Sequence, residues 1–183
     1  MENDKYFIFL IAEFEKLKDE QHKRIAFRDQ MIYLTLVAIG TIYSFSFEKP
    51  TLNIALLVLP FLEIIMGWTY YVNDRKISFI GTYIRKTIVK KLKSNTDENE
   101  SEILTTWEDF VRKDPTWRFR KINQLLIDLL IFVVPGAISI SMYLYFHSFN
   151  LWLNITAYVE YLLLAYLLFI FIRSANLKNF VIR

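Results

Sequence analysis

The feature that most constrains this chain is the 51-residue stretch between Lys121 and Arg173, in which only Asp128 and Glu160 are ionised at neutral pH. About 20 apolar residues already cross the hydrocarbon core of a bilayer, and no single buried helix of a soluble protein runs so long without charge. The stretch must hold two spans. Two shorter stretches repeat the pattern: 24 residues between Lys49 and Asp74 contain only Glu63, and 18 residues between Asp29 and Glu48 contain no charge. Together they predict an all-α integral membrane protein with four transmembrane helices, arranged as two hairpins, and a small cytoplasmic helical region.

One acidic residue does not spoil a span. A central Asp costs roughly 2.5 to 3.5 kcal/mol on the insertion scale, and Glu is taken as similar, whereas about fifteen Leu, Ile, Phe or Val residues return on the order of 0.3 to 0.6 kcal/mol each. The composition leans the same way, with 54% hydrophobic and 17% aromatic residues. The expected divisions are a cytoplasmic amphipathic helix over 1–29, a transmembrane hairpin over 30–73, a basic cytoplasmic helical segment over 74–121, a second hairpin over 122–172 and a cytoplasmic tail over 173–183. Phe7 to Ile11 is too brief for a signal peptide and is followed by Glu13, Glu15 and Lys16, so no processing is expected. With no cysteine, disulfides and thiol chemistry are excluded.

Orientation follows from the basic residues. Six Lys and Arg precede the first span, Lys49 alone lies in the first short connection, twelve lie between spans two and three, none in the second connection and three after span four. By the positive-inside rule, both termini and the middle segment face the cytoplasm, in a bacterial inner membrane. The net charge of +3 conceals this asymmetry. Two readings of the basic face stand: attraction to anionic lipid, and binding of nucleic acid or another specific anion. Trp68, Tyr70, Tyr71, Trp117, Tyr143, Tyr145 and Trp152 lie near the expected span ends, where interfacial rings belong. The connections near Glu48 to Pro50 and His147 to Asn150 are too short for an outer domain.

Three amphipathic helices are expected on the cytoplasmic side. Phe7, Leu10, Ile11, Phe14, Leu17, Gln21 and Ile25 share most of one helical face, with no breaker before span one. Ile77, Ile80, Ile84, Ile88 and Leu92 repeat at helical spacing after span two, surrounded by the basic residues Arg75, Lys76, Arg85, Lys86, Lys90, Lys91 and Lys93, with Gly81 the only weak point. Ile103, Leu104, Trp107, Phe110 and Val111 mark a third short helix, stopped at Asp114-Pro115, and Pro115 suits the first turn of the helix that becomes span three. Such helices either lie flat on the bilayer or pack together below it.

Within the spans, Glu63, Asp128 and Glu160 are the expensive positions. Glu63 stands eleven residues before Asp74 and Glu160 thirteen before Arg173, which places both near mid-bilayer at about 1.5 Å per residue, with Asp128 nearer the inside. No Lys or Arg accompanies them in the spans, so each is a neutral, hydrogen-bonded packing residue or part of an acidic ring lining a cation or proton pathway. A single four-helix subunit forms such a ring poorly and an oligomer forms it well. Pro60 and Pro135 are each expected to kink their spans. His22 and His147 fall on opposite sides of the membrane, no phosphate-cradling glycine loop is present, and the Arg-to-His spacing of HEPN-type ribonucleases is missing. The expectation is a non-enzyme with no cofactor and no metal.

The run Asn73-Asp74-Arg75-Lys76-Ile77, then Ile80-Gly81-Thr82-Tyr83-Ile84-Arg85 and later Trp107-Glu108-Asp109-Phe110 resembles a widespread group of small bacterial four-span membrane proteins. In size and plan the chain is also similar to the four-span accessory proteins encoded beside type VI-B CRISPR RNA-targeting nucleases. The resemblance covers the architecture through short motifs, and no functional residue carries over from it. It implies a role in antiviral defence: a protein closed in the inner membrane, in contact with lipid and with copies of itself, that senses RNA, a nucleotide or a nuclease partner on its cytoplasmic face. A small ion channel or transporter using the intramembrane carboxylates is the competing expectation.

Overall fold

Residues 2–48 contain one glycine and no proline, and in the computed structural model they form a single helix, α1 (Glu2–Glu48). At 1.5 Å per residue it is about 70 Å long, more than twice the ~30 Å of a bilayer's hydrocarbon core. The structure describes residues 2–48, 54–94, 115–146 and 150–175. Helix α2 (Ala55–Tyr83) passes directly into a π-helical segment (Ile84–Val89) and then α3 (Lys90–Ser94). After the turn at Pro115 and Thr116 come α4 (Trp117–Phe132), α5 (Val134–Phe146) and α6 (Leu151–Ser174). Among the described residues there is no strand, and four helical stretches are long and apolar enough to cross a membrane: Lys5–Glu48, Ala55–Leu92, Phe119–Phe146 and Leu151–Ser174. The expected third amphipathic helix at Ile103 to Val111, including Trp107 to Phe110, lies outside the described residues, as do the connections at 49–53 and 147–149 and the tail beyond 175.

The chain divides into two units. The first comprises Met1–Arg28 and Val72–Trp117, the second Asp29–Tyr71 and Arg118–Arg183. In the first, Ile84, Ile88 and Val89 are buried against Phe14, Leu17, Ile80 and Leu92. The two amphipathic faces therefore meet each other. The α1 face is shorter than its sequence pattern: Leu10 is buried, but Phe7 and Ile11 turn outward. Gly81 does not weaken the helix, which departs from α geometry only three residues later. There the i→i+5 winding lets Val89, outside the three- and four-residue repeat, share the buried face with Ile84 and Ile88.

In the second unit the core forms two layers. One joins Met31 of α1, Tyr70 of α2, Ile131 and Phe132 of α4, and Leu167 and Phe171 of α6. The other joins Leu56 and Leu57 of α2, Ile140 and Tyr143 of α5, and Ala157 and Leu164 of α6. Gly67 permits the close approach in the first layer, since a Cβ there would lie 2.7 Å from Leu167 Cδ2 and 3.2 Å from Phe132 Cβ. Tyr70 and Tyr143, expected as outward rings, are core residues instead. Tyr70 follows Glu63 by seven residues and Tyr143 follows Gly136 by seven, so two helical turns return each to the inward face. Tyr145 and Trp152 do point outward.

The prolines act through the backbone groups they release. Pro135 stands just past a one-residue interruption of a long helical stretch: Val133, between α4 and α5, donates its N–H to the Leu129 carbonyl and accepts the Ala137 N–H, both at 3.1 Å, so helical bonding resumes across the proline. Pro135 has no N–H to offer the Ile131 carbonyl, so one helical bond is lost there. Pro60 lies inside α2, which runs through it and loses there the N–H that would have reached the Leu56 carbonyl. Pro115, expected within the first turn of the next helix, instead stands in the turn before it, as α4 begins at Trp117.

Candidate functional site

The buried acidic residues of the second unit are Glu63, Asp128 and Glu160. Glu63 is fully buried, and its Oε2 accepts the Gly136 N–H at 2.7 Å. Gly136 directly follows the proline that interrupts the helical bonding, and its N–H is taken up by Glu63 from another helix, α2. Tyr43 of α1 donates to the Pro135 carbonyl at 2.7 Å, so α1 and α2 both bind the start of α5. Among the described residues, the other oxygen, Glu63 Oε1, is enclosed without a hydrogen-bond partner, and so is Glu160 Oε2. Glu160 precedes Leu164 by one turn on α6, and Leu164 Cδ1 lies 3.2 Å from where a Gly136 Cβ would stand. The two glutamates thus occupy adjacent levels of one bundle, about 6 Å apart along α6.

Asp128 belongs to a separate contact. Gln124 donates to Asp128 Oδ1 and to Tyr70 Oη, both at 2.8 Å, tying α4 to α2 two turns away from Gly136. Tyr70 is held further by Phe132, with ring centroids 5.0 Å apart. Among the described residues, no three His, Asp or Glu side chains are grouped closely enough to share a metal ion. Glu63 and Glu160 are buried within the chain, at 0% and 6% exposure.

Sequence reasoning missed Ser139. Fully buried, it donates from Oγ to the Leu56 carbonyl at 2.6 Å, supplying the donor that Pro60 removes. The signal was present, because a proline inside a helix always frees the carbonyl four residues earlier. Ser139→Ala is expected to cost about 1–3 kcal/mol, the penalty for an unsatisfied buried acceptor. Adding Pro60→Ala restores the helical N–H and should recover most of that loss. Unfolding of the single and double variants in detergent measures the coupling, and strictly additive costs would refute the pairing.

In the first unit, Asn73 and Asp74 fasten α2 to α1. Asn73 Nδ2 donates to the Arg24 carbonyl at 2.7 Å and Arg24 Nη1 to Asn73 Oδ1 at 3.4 Å, while Arg28 pairs with Asp74 at 3.3 Å. The ion pair is partly exposed, so the buried Asn73 contributes the more robust contact. Beyond this joint, Arg75, Lys76, Lys86, Lys90 and Lys91 are exposed and Arg85 is half-buried, whereas the side chain of Lys93 lies outside the described residues. Tyr83 Oη donates to Glu13 Oε1 at 2.9 Å, and donation to a carboxylate holds its phenol above the ordinary value. Comparisons with protein families, with curated proteins and with solved structures find no match.

Proposed function

We propose that the chain is a multi-pass protein of the bacterial inner membrane, with both termini cytoplasmic, serving antiviral defence as a non-enzymatic effector or accessory. It is oligomeric in this reading, and it perturbs the membrane or tunes a partner when its cytoplasmic face is engaged. The observation that carries the reading is helix continuity: α1 and α2 each contribute to both units without a break at the boundary. A ligand on the basic unit therefore pulls on helices that are also walls of the apolar bundle. The outward residues Leu34, Val37, Phe45, Leu130, Leu162 and Phe169 support lipid contact, since soluble proteins rarely expose contiguous apolar patches on this scale.

The absence of native cysteine makes orientation testable. A membrane-impermeant maleimide added to spheroplasts should label Leu151→Cys, and should label Lys5→Cys and Lys90→Cys only after permeabilisation. Labelling of all three from outside would overturn the orientation. The effector role is read by membrane potential in cells co-expressing the chain with an RNA-targeting nuclease and its target. Depolarisation that requires both is the expected result, and an unchanged potential with unchanged phage plating would sink it.

A second reading has its own observation. The enclosed, unpartnered oxygens of Glu63 and Glu160 suit a proton or cation pathway within one chain, because buried polar atoms in native proteins are almost always satisfied. Constitutive, pH-dependent flux in liposomes, lost in Glu63→Gln and in Glu160→Gln, would favour it. Flux unaltered by both substitutions removes it.

A further inference from the structure

Residues 75–94 carry seven Lys and Arg and no Asp or Glu. A basic amphipathic helix of this kind ordinarily binds a membrane surface by sinking its apolar face among the acyl chains. That route is closed here. Ile80, Ile84, Ile88 and Leu92 are already packed on Phe14 and Leu17 of α1, so the helix presents only its opposite face. Along that face Arg75, Phe79 and Tyr83 follow at four-residue intervals, with Lys86 and Lys90 beyond them, and all five are exposed.

Two aromatic rings stand exposed on this basic face. Phe79 is 59% and Tyr83 43% exposed on the most positive helix of the chain. Phe79 has the Arg75 guanidinium 5.0 Å from its centroid, an arrangement that orients the ring. Tyr83 is anchored through its hydroxyl to Glu13, so its ring is held in place as well. Exposed, pre-oriented rings among cations fit a polyanion that also carries flat π surfaces. Single-stranded nucleic acid is that ligand, since its phosphates answer the lysines and its bases stack on aromatic side chains without regard to sequence. The rings are one helical turn apart, about 6 Å along the axis, whereas stacked neighbours in a duplex strand rise ~3.4 Å, so splayed bases fit and paired ones do not.

We propose that the Arg75–Phe79–Tyr83–Lys86–Lys90 face is a stacking platform for single-stranded nucleic acid, probed below with RNA. The proposal rests on the cytoplasmic placement of this unit argued above, and it names the ligand that engages it. The test uses the full chain in nanodiscs of zwitterionic lipid and a labelled single-stranded RNA of about a dozen nucleotides, followed by fluorescence anisotropy. Phe79→Ala and Tyr83→Ala should each weaken binding about 5- to 100-fold, while Phe79→Trp, which keeps a ring, should bind like the parent and Tyr83→Phe, which keeps the ring but loses its Glu13 anchor, should weaken binding less than Tyr83→Ala. Lys86→Ala and Lys90→Ala should each flatten the dependence of log affinity on log salt by about 0.7. Parent-like binding by both alanine ring variants, or equal affinity for a duplex of the same sequence, would overturn the platform. So would anionic-lipid nanodiscs that protect the amides of 75–91 from exchange as fully as RNA does, which assigns the face to lipid headgroups. RNA binding without depolarisation in cells would leave the platform standing and remove the effector role. Depolarisation without RNA binding would do the reverse.

Discussion

Replacing Gly136 by alanine is expected to cost about 2–5 kcal/mol of stability, combining the overpacking of a filled contact with the loss of a buried hydrogen bond. The new methyl group would overlap Glu63 Oε2 and stand 3.2 Å from Leu164 Cδ1. A carboxyl at the end of a flexible side chain can normally swing aside. Here Glu63 is wholly enclosed, and moving it forfeits the bond from the Gly136 N–H. Gly40→Ala is the matched control, because a Cβ there meets nothing within 4 Å. It should gain up to about 1 kcal/mol from helix propensity alone. Denaturant unfolding in detergent micelles compares the two. Equal stability of the two variants would show that Glu63 is not pinned at the start of α5.

Ile88→Ala should cost a similar amount, about 2–5 kcal/mol, by opening a cavity at a fully buried position. Its effect should be local. Ile88 lies in the small core that holds the π segment against Phe14 and Leu17, so amide exchange is expected to accelerate across 84–92. The apolar bundle, whose core contains none of these residues, should retain its protection. Lys90→Ala, two residues away and exposed, should change stability by no more than about 0.5 kcal/mol. If Ile88→Ala left exchange at 84–92 unchanged, the packing of the two amphipathic faces would be disproved.

These two positions differ in how far the sequence reveals them. Ile88 is legible, because its three- and four-residue spacing from Ile80, Ile84 and Leu92 marks an inward face on any helix. Val89 is not, because it shares that face only through the π turn, and no residue type in Ile84–Val89 signals such a turn. Gly136 is half legible. The preceding proline announces an irregular backbone, but nothing local says that a glutamate 73 residues earlier takes up the N–H it exposes. Asn73 and Asp74 stand out in the sequence as the polar pair that closes an apolar run, yet their partners Arg24 and Arg28 look like ordinary charges on an exposed helix face.

The four apolar stretches and the segregation of the basic residues were properties of sequence alone, because apolar content over about twenty residues and charge between such runs need no knowledge of neighbours. The same holds for the carbonyl that Pro60 leaves free, which is a covalent consequence of a missing N–H. Tertiary structure alone decided what Glu63, Asp128 and Glu160 touch. Helical periodicity tells which side of a helix a residue occupies, but not which group of another helix lies opposite at that level. For that reason the 51-residue stretch could announce an irregular backbone at Pro135 but not that the N–H of the glycine beyond it would be taken up from α2.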